Sequence, residues 1–431
     1  MKSRTFASLS VYNYRVYFAG ALVSNIGTWM GRTAQDWLVL TQLTHHDSTS
    51  LGIVTALQFA PVVLLAPFAG AITDRFPKRR VLFGTQTTLA VTAALLAALV
   101  LADVVQLWHV YALALLQGVA TALDNPSRQA FVSEMVGPEL LTNAVGLNST
   151  SFNAARLVGP GIAGLCIGLI GTGQTLVFNT FSFIAVLIAL KAMHPADLMP
   201  APQVRGKGKV REGLAYVKHR PDILLIMFMV FMLGTFGMNF QITIALMATT
   251  IFHKGAAEYG LLGSIMAIGS LAGALMAARR PAPRLRIVLG SLAGFTIFSA
   301  VAAIAPTYLL FAAFLIPTGL CAITTLNTAN SAVQLSVTPV MRGRVMALYM
   351  AIFMGGTPVG APVIGWIGSV FGARWTILVG SVASAVTVVA TMAYLMRRDD
   401  LRVRLEGRPI PHFEVRHRDG TSDDLVSQRA A

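Results

Sequence analysis

The sequence predicts an all-α membrane protein with twelve transmembrane helices in two pseudo-symmetric six-helix bundles. Three observations support this fold class. First, 55% of the 431 residues are hydrophobic and only 12% are charged, whereas a soluble protein carries about 25% charged residues. Second, apolar runs reaching the roughly 20 residues needed to cross a bilayer recur along the whole chain. Third, the basic residues cluster in the connections of one side. These features exclude a soluble globular enzyme, a disordered chain and a disulfide-stapled secreted domain.

Each apolar run is assigned to a helix, because backbone groups in lipid need partners within the segment and these runs are too long for barrel strands. The runs of the N-terminal half lie at 14–40, 51–72, 81–102, 107–127, 141–170 and 173–193. Those of the C-terminal half lie at 222–252, 257–278, 286–305, 307–330, 345–370 and 374–396. The predicted domains are an N-terminal bundle (1–193), a cytoplasmic central loop (194–221), a C-terminal bundle (222–396) and a flexible cytoplasmic tail (397–431). Residues 210–219 of the loop are expected to form an amphipathic helix on the inner leaflet.

The basic residues orient the chain in the membrane. Of the 33 Lys and Arg residues, all but four fall on one side. Lys254 and Arg374 lie on the other side, and Arg32 and Arg156 lie inside runs. The positive-inside rule then places both termini in the cytoplasm. The net charge of +15 also suits nucleic-acid binding, but that partner is not expected because no separate soluble domain carries the charge.

The two halves resemble each other weakly in sequence. Residues 125–129 end the fourth run, and the similar residues 330–334 end the tenth. Residues 70–74 and 273–277 end the second and eighth runs in the same way. Two homologous six-helix halves are typical of secondary transporters, which bind their substrate between the halves near the middle of the membrane.

Several stretches resemble the major facilitator superfamily. Residues 70–80, GAITDRFPKRR, are similar to its signature G-x-L-A-D-R-x-G-R-K-R between helices 2 and 3, with departures at Ile72, Thr73 and Pro77. Residues 156–164, RLVGPGIAG, resemble the Gly-Pro motif of the antiporter branches. Residues 29–37, 124–131 and 342–345 resemble the exporter subfamily that includes enterobactin and macrolide exporters.

This resemblance implies a proton-coupled exporter (antiporter) that moves hydrophobic or amphipathic small molecules, such as drugs or siderophores, by alternating access. Its implied energy source is the proton gradient, with no cofactor. The expected partners are the lipid bilayer, protons and a small-molecule substrate, and the expected assembly is a monomer. An uptake symporter for a nutrient, a lipid or lysolipid flippase and a non-transporting membrane scaffold stay open as alternatives. The sequence contains no P-loop, so ATP is not the expected energy source. An enzyme is not expected because no catalytic constellation stands out, and no metal is expected because no spacing of Cys and His suits one.

The loop between the second and third runs is predicted to form a conformational latch. Asp74 ends the second run, where a carboxylate can face the N-terminus of a neighbouring helix. The resemblance implies that this neighbour is the eleventh helix, and the basic residues of the loop are expected to pair with Asp124. The latch would hold the halves together in the outward-open state; alternatively, the basic residues only determine topology. The predicted latch residues are Gly70, Asp74, Arg75, Arg79, Asp124 and Arg342.

Three charged residues inside runs are candidates for proton coupling. Asp36 follows Arg32 by four residues, so both lie on one helix face and can pair. Since ionisable groups in spans usually face the bundle interior, Asp36 is the candidate proton carrier. A permanent structural pair of Arg32 with Asp36 is the alternative. Arg156 is expected to meet an acidic group, a helix end or an anionic substrate.

The Gly-Pro motif and a set of polar and apolar side chains complete the candidate site. Gly159, Pro160 and Gly164 are expected to make a tight contact with a neighbouring helix, because small residues allow close approach; ordinary packing is the alternative. The candidates for the substrate cavity are Asn25, Gln58, Gln117, Asn148, Asn153, Asn239, Gln241, Phe236 and Met238. Many of these amides are expected instead to join helices by hydrogen bonds. The few charges among them favour a large amphipathic or cationic ligand.

Overall fold

The computed structural model describes residues 4–199, 210–280, 283–399, 402–407 and 411–416. The first half contains α1 (Tyr12–Trp37), α2 (Ser48–Leu64), α3 (Ala66–Arg75), α4 (Lys78–Leu101), α5 (Leu107–Met135), α6 (Pro138–Ile170) and α7 (Thr172–Ala192). The connection contains α8 (Val210–Lys218). The second half contains α9 (Pro221–Met232), α10 (Phe240–Leu246), α11 (Ala256–Ala278), α12 (Leu285–Ile304), α13 (Tyr308–Ser336), α14 (Pro339–Phe371) and α15 (Ala373–Asp399). Short 3-10 turns lie at Arg4–Ser10 and Pro195–Asp197, and π-helical turns lie at Leu38–Leu43, Leu233–Gly237 and Met247–Ile251.

Helical segments occupy all twelve predicted positions. α2 and α3 together form the second segment, and α9, α10 and the two π turns beside them form the seventh. Within the described residues, nine helical segments are long and apolar enough to cross a membrane, and α2 is a shorter apolar helix. The prediction of an all-α membrane fold is confirmed, and the protein is a multi-pass membrane protein. The amphipathic segment of the loop is helical as α8, and Glu212 of α8 binds Arg344 of α14 at 2.7 Å.

The packing of the helices repeats from one half to the other. α1 packs on α6 and α7, just as the span of α9 and α10 packs on α14 and α15. α4 packs on α5 and α7, and its counterpart α12 packs on α13 and α15. Gly171 and Gly372 supply the same turn in each half, between α6 and α7 and between α14 and α15, with φ of +95° and +92°. Only glycine enters this part of backbone space readily, so both halves use the same residue to reverse direction.

The alternating helices give the molecule two ends. The basic end contains the connections at 76–77, 136–137, 193–220, 279–284 and 337–338. The opposite end contains those at 44–47, 102–106, 171, 252–255, 305–307 and 372. The two halves meet through α2 against α14 and α6 against α11, which are corresponding pairs in the repeat.

A two-stranded antiparallel hairpin follows the last helix in the tail. β1 (Arg402–Gly407) pairs with β2 (Pro411–Arg416), so that Arg402 lies opposite Arg416 and Gly407 opposite Pro411. The tail was predicted as a flexible extension without a span. Its described residues therefore include regular structure, while its flexibility stays a prediction.

Candidate functional site

The two halves are in close contact at the opposite end through α2 and α14. The hydroxyl of Ser48 donates a hydrogen bond to the carbonyl of Gly365 at 2.7 Å. The hydroxyls of Thr49 and Ser369 lie 3.0 Å apart. A Cβ atom at Gly52 would overlap the carbonyl of Ala361. Glycine at such crossings lets two helix backbones approach each other closely.

The Gly-Pro motif forms the second crossing between the halves, where α6 meets α11. A Cβ atom at Gly260 of α11 would overlap the carbonyl of Pro160, and one at Gly164 would overlap a carbonyl of α11. The backbone N–H of Gly161 donates to the hydroxyl of Ser264 at 3.1 Å. Gly159 faces α1 instead, since a Cβ atom there would lie 2.6 Å from the Cβ of Trp29. The motif thus holds α6 against α1 and against the other half of the molecule.

The halves are less tightly packed at the basic end. A Cβ atom at Gly146, in the part of α6 nearest the basic end, would have no heavy atom within 4 Å. The same holds for Gly70 on α3 and for Gly343 in the first turns of α14. Gly70 is a predicted latch residue and Gly343 follows another, Arg342, so α3 and α14 are not in contact at these two positions. The side chain of Asp74 lies outside the described residues.

Asp124 is part of a polar cluster within the first half. Its carboxylate accepts hydrogen bonds from the hydroxyl of Thr85 and the amide of Gln86, both at 2.7 Å, and it is ion-paired with Arg128. In this conformation Asp124 is therefore paired with Arg128, and the pairing with the basic loop at 75–80, predicted for the outward-open state, stays a prediction. Arg128 lies one turn away on the same helix, where it reaches Asp124 without crossing to another element.

The other latch residues have partners of a different kind. Arg79 donates from Nε to the carbonyl of Leu190 at 2.8 Å, at the C-terminal end of α7, where a cation is stabilised by the helix dipole. Arg75 is exposed, with its Cζ 5.8 Å from the ring centroid of Phe76. Arg342 is also exposed, at the start of α14.

An ion pair that the sequence did not reveal lies beside these residues. Lys78 at the start of α4 and Glu134 near the end of α5 are 3.1 Å apart, and both side chains are largely buried. In the sequence, Lys78 resembled the other basic residues of its loop. Its partner is more than fifty positions away, and helix packing alone brings the two together.

Asp36 joins the two halves at the opposite end. It is buried, with 4% of its surface exposed. Its Oδ2 accepts a long hydrogen bond, 3.4 Å, from the hydroxyl of Tyr259 in α11. The ring of Tyr259 stacks on Trp37, with 6.2 Å between the ring centroids. Sequence reasoning missed Tyr259, because a single tyrosine in an apolar run carries no periodic or motif signal for a partner in the other half.

The predicted ion pair between Arg32 and Asp36 is not among those formed by the described residues. The Cζ of Arg32 lies 5.5 Å from the ring centroid of Trp29 and 5.5 Å from that of Phe59. Side chains in a helix lean towards its N-terminus, so Arg32 reaches back to Trp29 and away from Asp36. An Arg that precedes an Asp by four residues is also in the less favourable order for pairing.

Arg156 also lies beside the ring of Trp29. Its Cζ is 5.8 Å from the ring centroid of Trp29. Phe152, one turn earlier on α6, packs edge-to-face on Trp29, with 6.0 Å between the centroids. The structure thus brings together two of the three residues predicted for proton coupling, around an aromatic ring that the prediction did not include.

The predicted cavity residues divide into two groups. Asn25 donates to the hydroxyl of Ser151 at 3.3 Å and joins α1 to α6, whereas Asn153 and Asn239 donate to carbonyls of their own segments. The remaining candidates are partly exposed: Gln58, Gln117, Asn148, Gln241, Phe236 and Met238. In this second group, Phe236 and Met238 pack against buried apolar clusters. The buried Oδ1 of Asn239 has no partner among the described residues.

The sequence is similar to a family described as transmembrane secretion effector, which matches residues 3–420. The staphyloferrin A transporter of Staphylococcus aureus is 24% identical over 400 residues, covering 91% of this chain and 98% of that protein. Macrolide efflux protein A of Streptococcus pyogenes is 20% identical over 368 residues, covering 82% and 89%. The enterobactin exporter of Citrobacter koseri is 22% identical over 381 residues, covering 86% and 89%.

Solved structures show the same fold at low sequence identity. The nucleoside transporter NupG has a TM-score of 0.69 and 14% identity, covering 89% of this chain and 98% of that one. A bacterial homologue of the human lysosomal transporter Spinster, in an inward-facing and occupied conformation, has a TM-score of 0.73 and 13% identity, covering 89% and 96%.

Proposed function

The chain belongs to the transmembrane secretion effector family of the major facilitator superfamily, and from this premise we propose that it exports amphipathic small molecules in exchange for protons. It is a membrane transporter rather than an enzyme. In this proposal the basic end and both termini face the cytoplasm, in agreement with the positive-inside rule. The single chain in the bacterial inner membrane is the working unit, and the proton gradient supplies the energy without a cofactor.

The direction of transport is inferred from the relatives and from the Gly-Pro motif. A macrolide efflux protein and an enterobactin exporter each align with more than four fifths of the chain. The motif resembles that of antiporters, and it lies at the crossing of α6 and α11. This conformation is closed at the opposite end and more loosely packed at the basic end. Because the basic end faces the cytoplasm in this proposal, the conformation would receive a molecule from the cytoplasm.

The hydrogen bond between Asp36 and Tyr259 is the observation that carries the proton-coupling proposal. It links the two halves at the end that must open to release substrate. When that end opens, Asp36 would lose this partner, meet the outer solution and take up a proton. A neutral carboxyl group costs far less to bury than a carboxylate, so protonation would favour closure. The proton would then leave to water on the side of the basic end, and the positive charge of Arg32, one turn closer to that end, would stabilise the carboxylate that remains.

Export assays with matched variants test this proposal. We expect efflux-deficient cells expressing the wild-type chain to accumulate less of at least one compound from a panel of macrolides, siderophores and lipophilic ions. A proton uncoupler should abolish the difference, and so should Asp36→Asn, which removes the charge without changing the shape. Asp103→Asn is the control, because Asp103 is an exposed acid in a connection at the same end. It adopts φ of +55°, which asparagine tolerates.

Two outcomes would contradict the proposal. Export by Asp36→Asn at the wild-type rate and with equal expression would remove Asp36 from proton coupling. Export that persists in the presence of the uncoupler would remove the proton as the driving ion.

A further inference from the structure

Two arginines near the middle of the first half belong to none of the ion pairs of the described residues. Arg32 in α1 and Arg156 in α6 are both partly buried. Those ion pairs all lie at or near the basic end. Charged side chains within a span are costly, and they usually face a water-filled path or a partner. Asp36, one turn from Arg32, is hydrogen-bonded to Tyr259 and forms an ion pair with neither arginine among the described residues. The two guanidinium groups can therefore accept an anion from outside the chain.

The ring of Trp29 lies beside both guanidinium groups. The Cζ atoms of Arg32 and Arg156 lie 5.5 Å and 5.8 Å from its ring centroid, so the sum of these distances is the upper limit of their separation. Like charges this close repel each other, the more strongly in a medium of low dielectric constant. An anion placed between or beside them would relieve this repulsion and accept hydrogen bonds from both.

The surrounding side chains form two matching stripes along α1 and α6. Asn25, Trp29 and Arg32 follow one another at helical spacing on α1. Asn148, Phe152 and Arg156 do so on α6. From the basic end inward, each stripe presents an amide, then an aromatic ring, then an arginine. Phe152 is 49% exposed, so the aromatic level is accessible before the arginines are reached.

We propose that Arg32 and Arg156 bind an anionic group of the transported molecule, while Trp29, Phe59 and Phe152 contact its aromatic or apolar part. The substrate class is then amphipathic anions bearing a carboxylate, sulfonate, phosphate or similar group. This proposal rests on the proposed transport function. It predicts an anionic ligand, whereas the sequence favoured an amphipathic or cationic one. Guanidinium groups suit such anions because their planar N–H groups bind two oxygens at once.

Binding to the purified chain in phosphatidylcholine nanodiscs tests the charge preference. The probes are 2-naphthalenesulfonate, 2-naphthyltrimethylammonium and neutral 2-naphthol, which share a ring system and differ in charge. Calorimetric titration should show the sulfonate binding roughly tenfold to a hundredfold more tightly than the ammonium compound, as expected for two charge-assisted contacts. Equal affinities for the anion and the cation would overturn the proposal.

Variants locate the preference in the two arginines. Arg32→Gln and Arg156→Gln should each weaken sulfonate binding about tenfold or more and change naphthol binding little. A variant that merely misfolds would lose both probes together. Arg156→Lys keeps the charge and should retain part of the preference for the anion. Arg286→Gln, which removes an exposed arginine at the basic end, is the control and should bind as the wild type does. Unchanged sulfonate affinity in both glutamine variants would overturn the assignment.

The source of the anion and the transport function are tested separately. Phosphatidylglycerol is added to the nanodiscs to identify the source of the anion. If this lipid displaces the sulfonate, the ligand is a lipid headgroup, and if it does not, the ligand is a soluble anion. Both results retain the anion site. If the arginines bind the sulfonate but energised everted vesicles do not accumulate it, the export function is refuted and the anion site is retained. If export is sensitive to the uncoupler but the chain binds the anion and the cation equally, the anion site is refuted and the export function is retained.

Discussion

At the scale of single residues, the charged groups near and inside the spans differ in whether the protein itself supplies a partner. Asp124 and Glu134 are paired with basic residues within the first half. Arg32 and Arg156 both lie beside the ring of Trp29, and Arg32 also lies beside that of Phe59. The sequence predicted which charges lie inside spans, but it did not predict their partners. Helical spacing predicted that Asp36 could pair with Arg32. Instead, the side chain of Arg32 leans away and the packing of α11 brings Tyr259 within hydrogen-bonding distance of Asp36.

Asp47 provides a residue-scale prediction about stability and pH. It precedes α2, and its carboxylate accepts hydrogen bonds from the backbone N–H groups of Thr49 and Ser50. Partial burial opposes ionisation, but the hydrogen bonds from Ser50 and Thr49 outweigh it and lower the pKa of Asp47 below its usual value. Asp47→Ala should therefore reduce the stability of the folded protein by about 1 kcal/mol at neutral pH, as the loss of a helix cap does.

The sign of its pH dependence follows from the lowered pKa. The stabilising contribution of Asp47 is complete above its unfolded pKa of about 3.9 and is lost as the pH falls through the folded-state value. Thermal unfolding in detergent should show the gap between wild type and Asp47→Ala closing in that acidic range. Asp47→Asn, whose amide oxygen also caps a helix, should stay near the wild type at neutral pH. A gap that persists at low pH would contradict this explanation.

At the scale of helices, the ends and the irregular turns were the least predictable features. The predicted fourth run stops at 127, whereas α5 continues to Met135, because hydropathy marks the edge of the lipid and not the end of the hydrogen-bonded helix. The π turn at Leu233–Gly237 was also not predicted, since one extra residue in a turn leaves the apolar character of a run unchanged. A Cβ atom at Gly360 of α14 would overlap the carbonyl of Thr235 in this turn.

The crossing of α6 and α11 gives an element-scale prediction. Gly260→Ala should destabilise the closed opposite end, because the added methyl group overlaps the carbonyl of Pro160. The expected cost is about 1–3 kcal/mol, typical of overpacking, with a lower thermal midpoint and slower export. Gly168→Ala on α6 is the matched control, since its Cβ atom would meet open space. Equal behaviour of the two variants would show that the crossing tolerates separation.

At the scale of the whole molecule, the number and order of the helices could be predicted, but the conformation could not. Apolar runs report which segments enter the membrane, and the positions of basic residues report how they are oriented. The choice of the closed end depends on small differences between two ways of packing the same helices. Those differences arise at crossings such as Gly52 against Ala361 and Gly260 against Pro160, where sequence spacing within one run carries no information.

A disulfide across the closed end would test alternating movement of the halves. The hydroxyl oxygens of Thr49 and Ser369 lie 3.0 Å apart, so cysteines at both positions bring two sulfur atoms close to bonding distance. Oxidised Thr49→Cys/Ser369→Cys protein should lose export, and reduction should restore it. Each single cysteine variant, with Cys166 and Cys321 retained, should export under both conditions. Wild-type export by the fully cross-linked protein would rule out opening at this end.

The contacts that close the opposite end also determine how the protein responds to dissolved salt. Hydroxyl–carbonyl and hydroxyl–hydroxyl bonds join α2 to α14 there, while the ion pairs of the described residues lie at or near the basic end. Ions in solution screen exposed charges and leave neutral hydrogen bonds almost unchanged. In the proposed orientation this end faces the outer solution, so we expect the balance between closed and open molecules to change little when a cell moves between dilute and brackish surroundings.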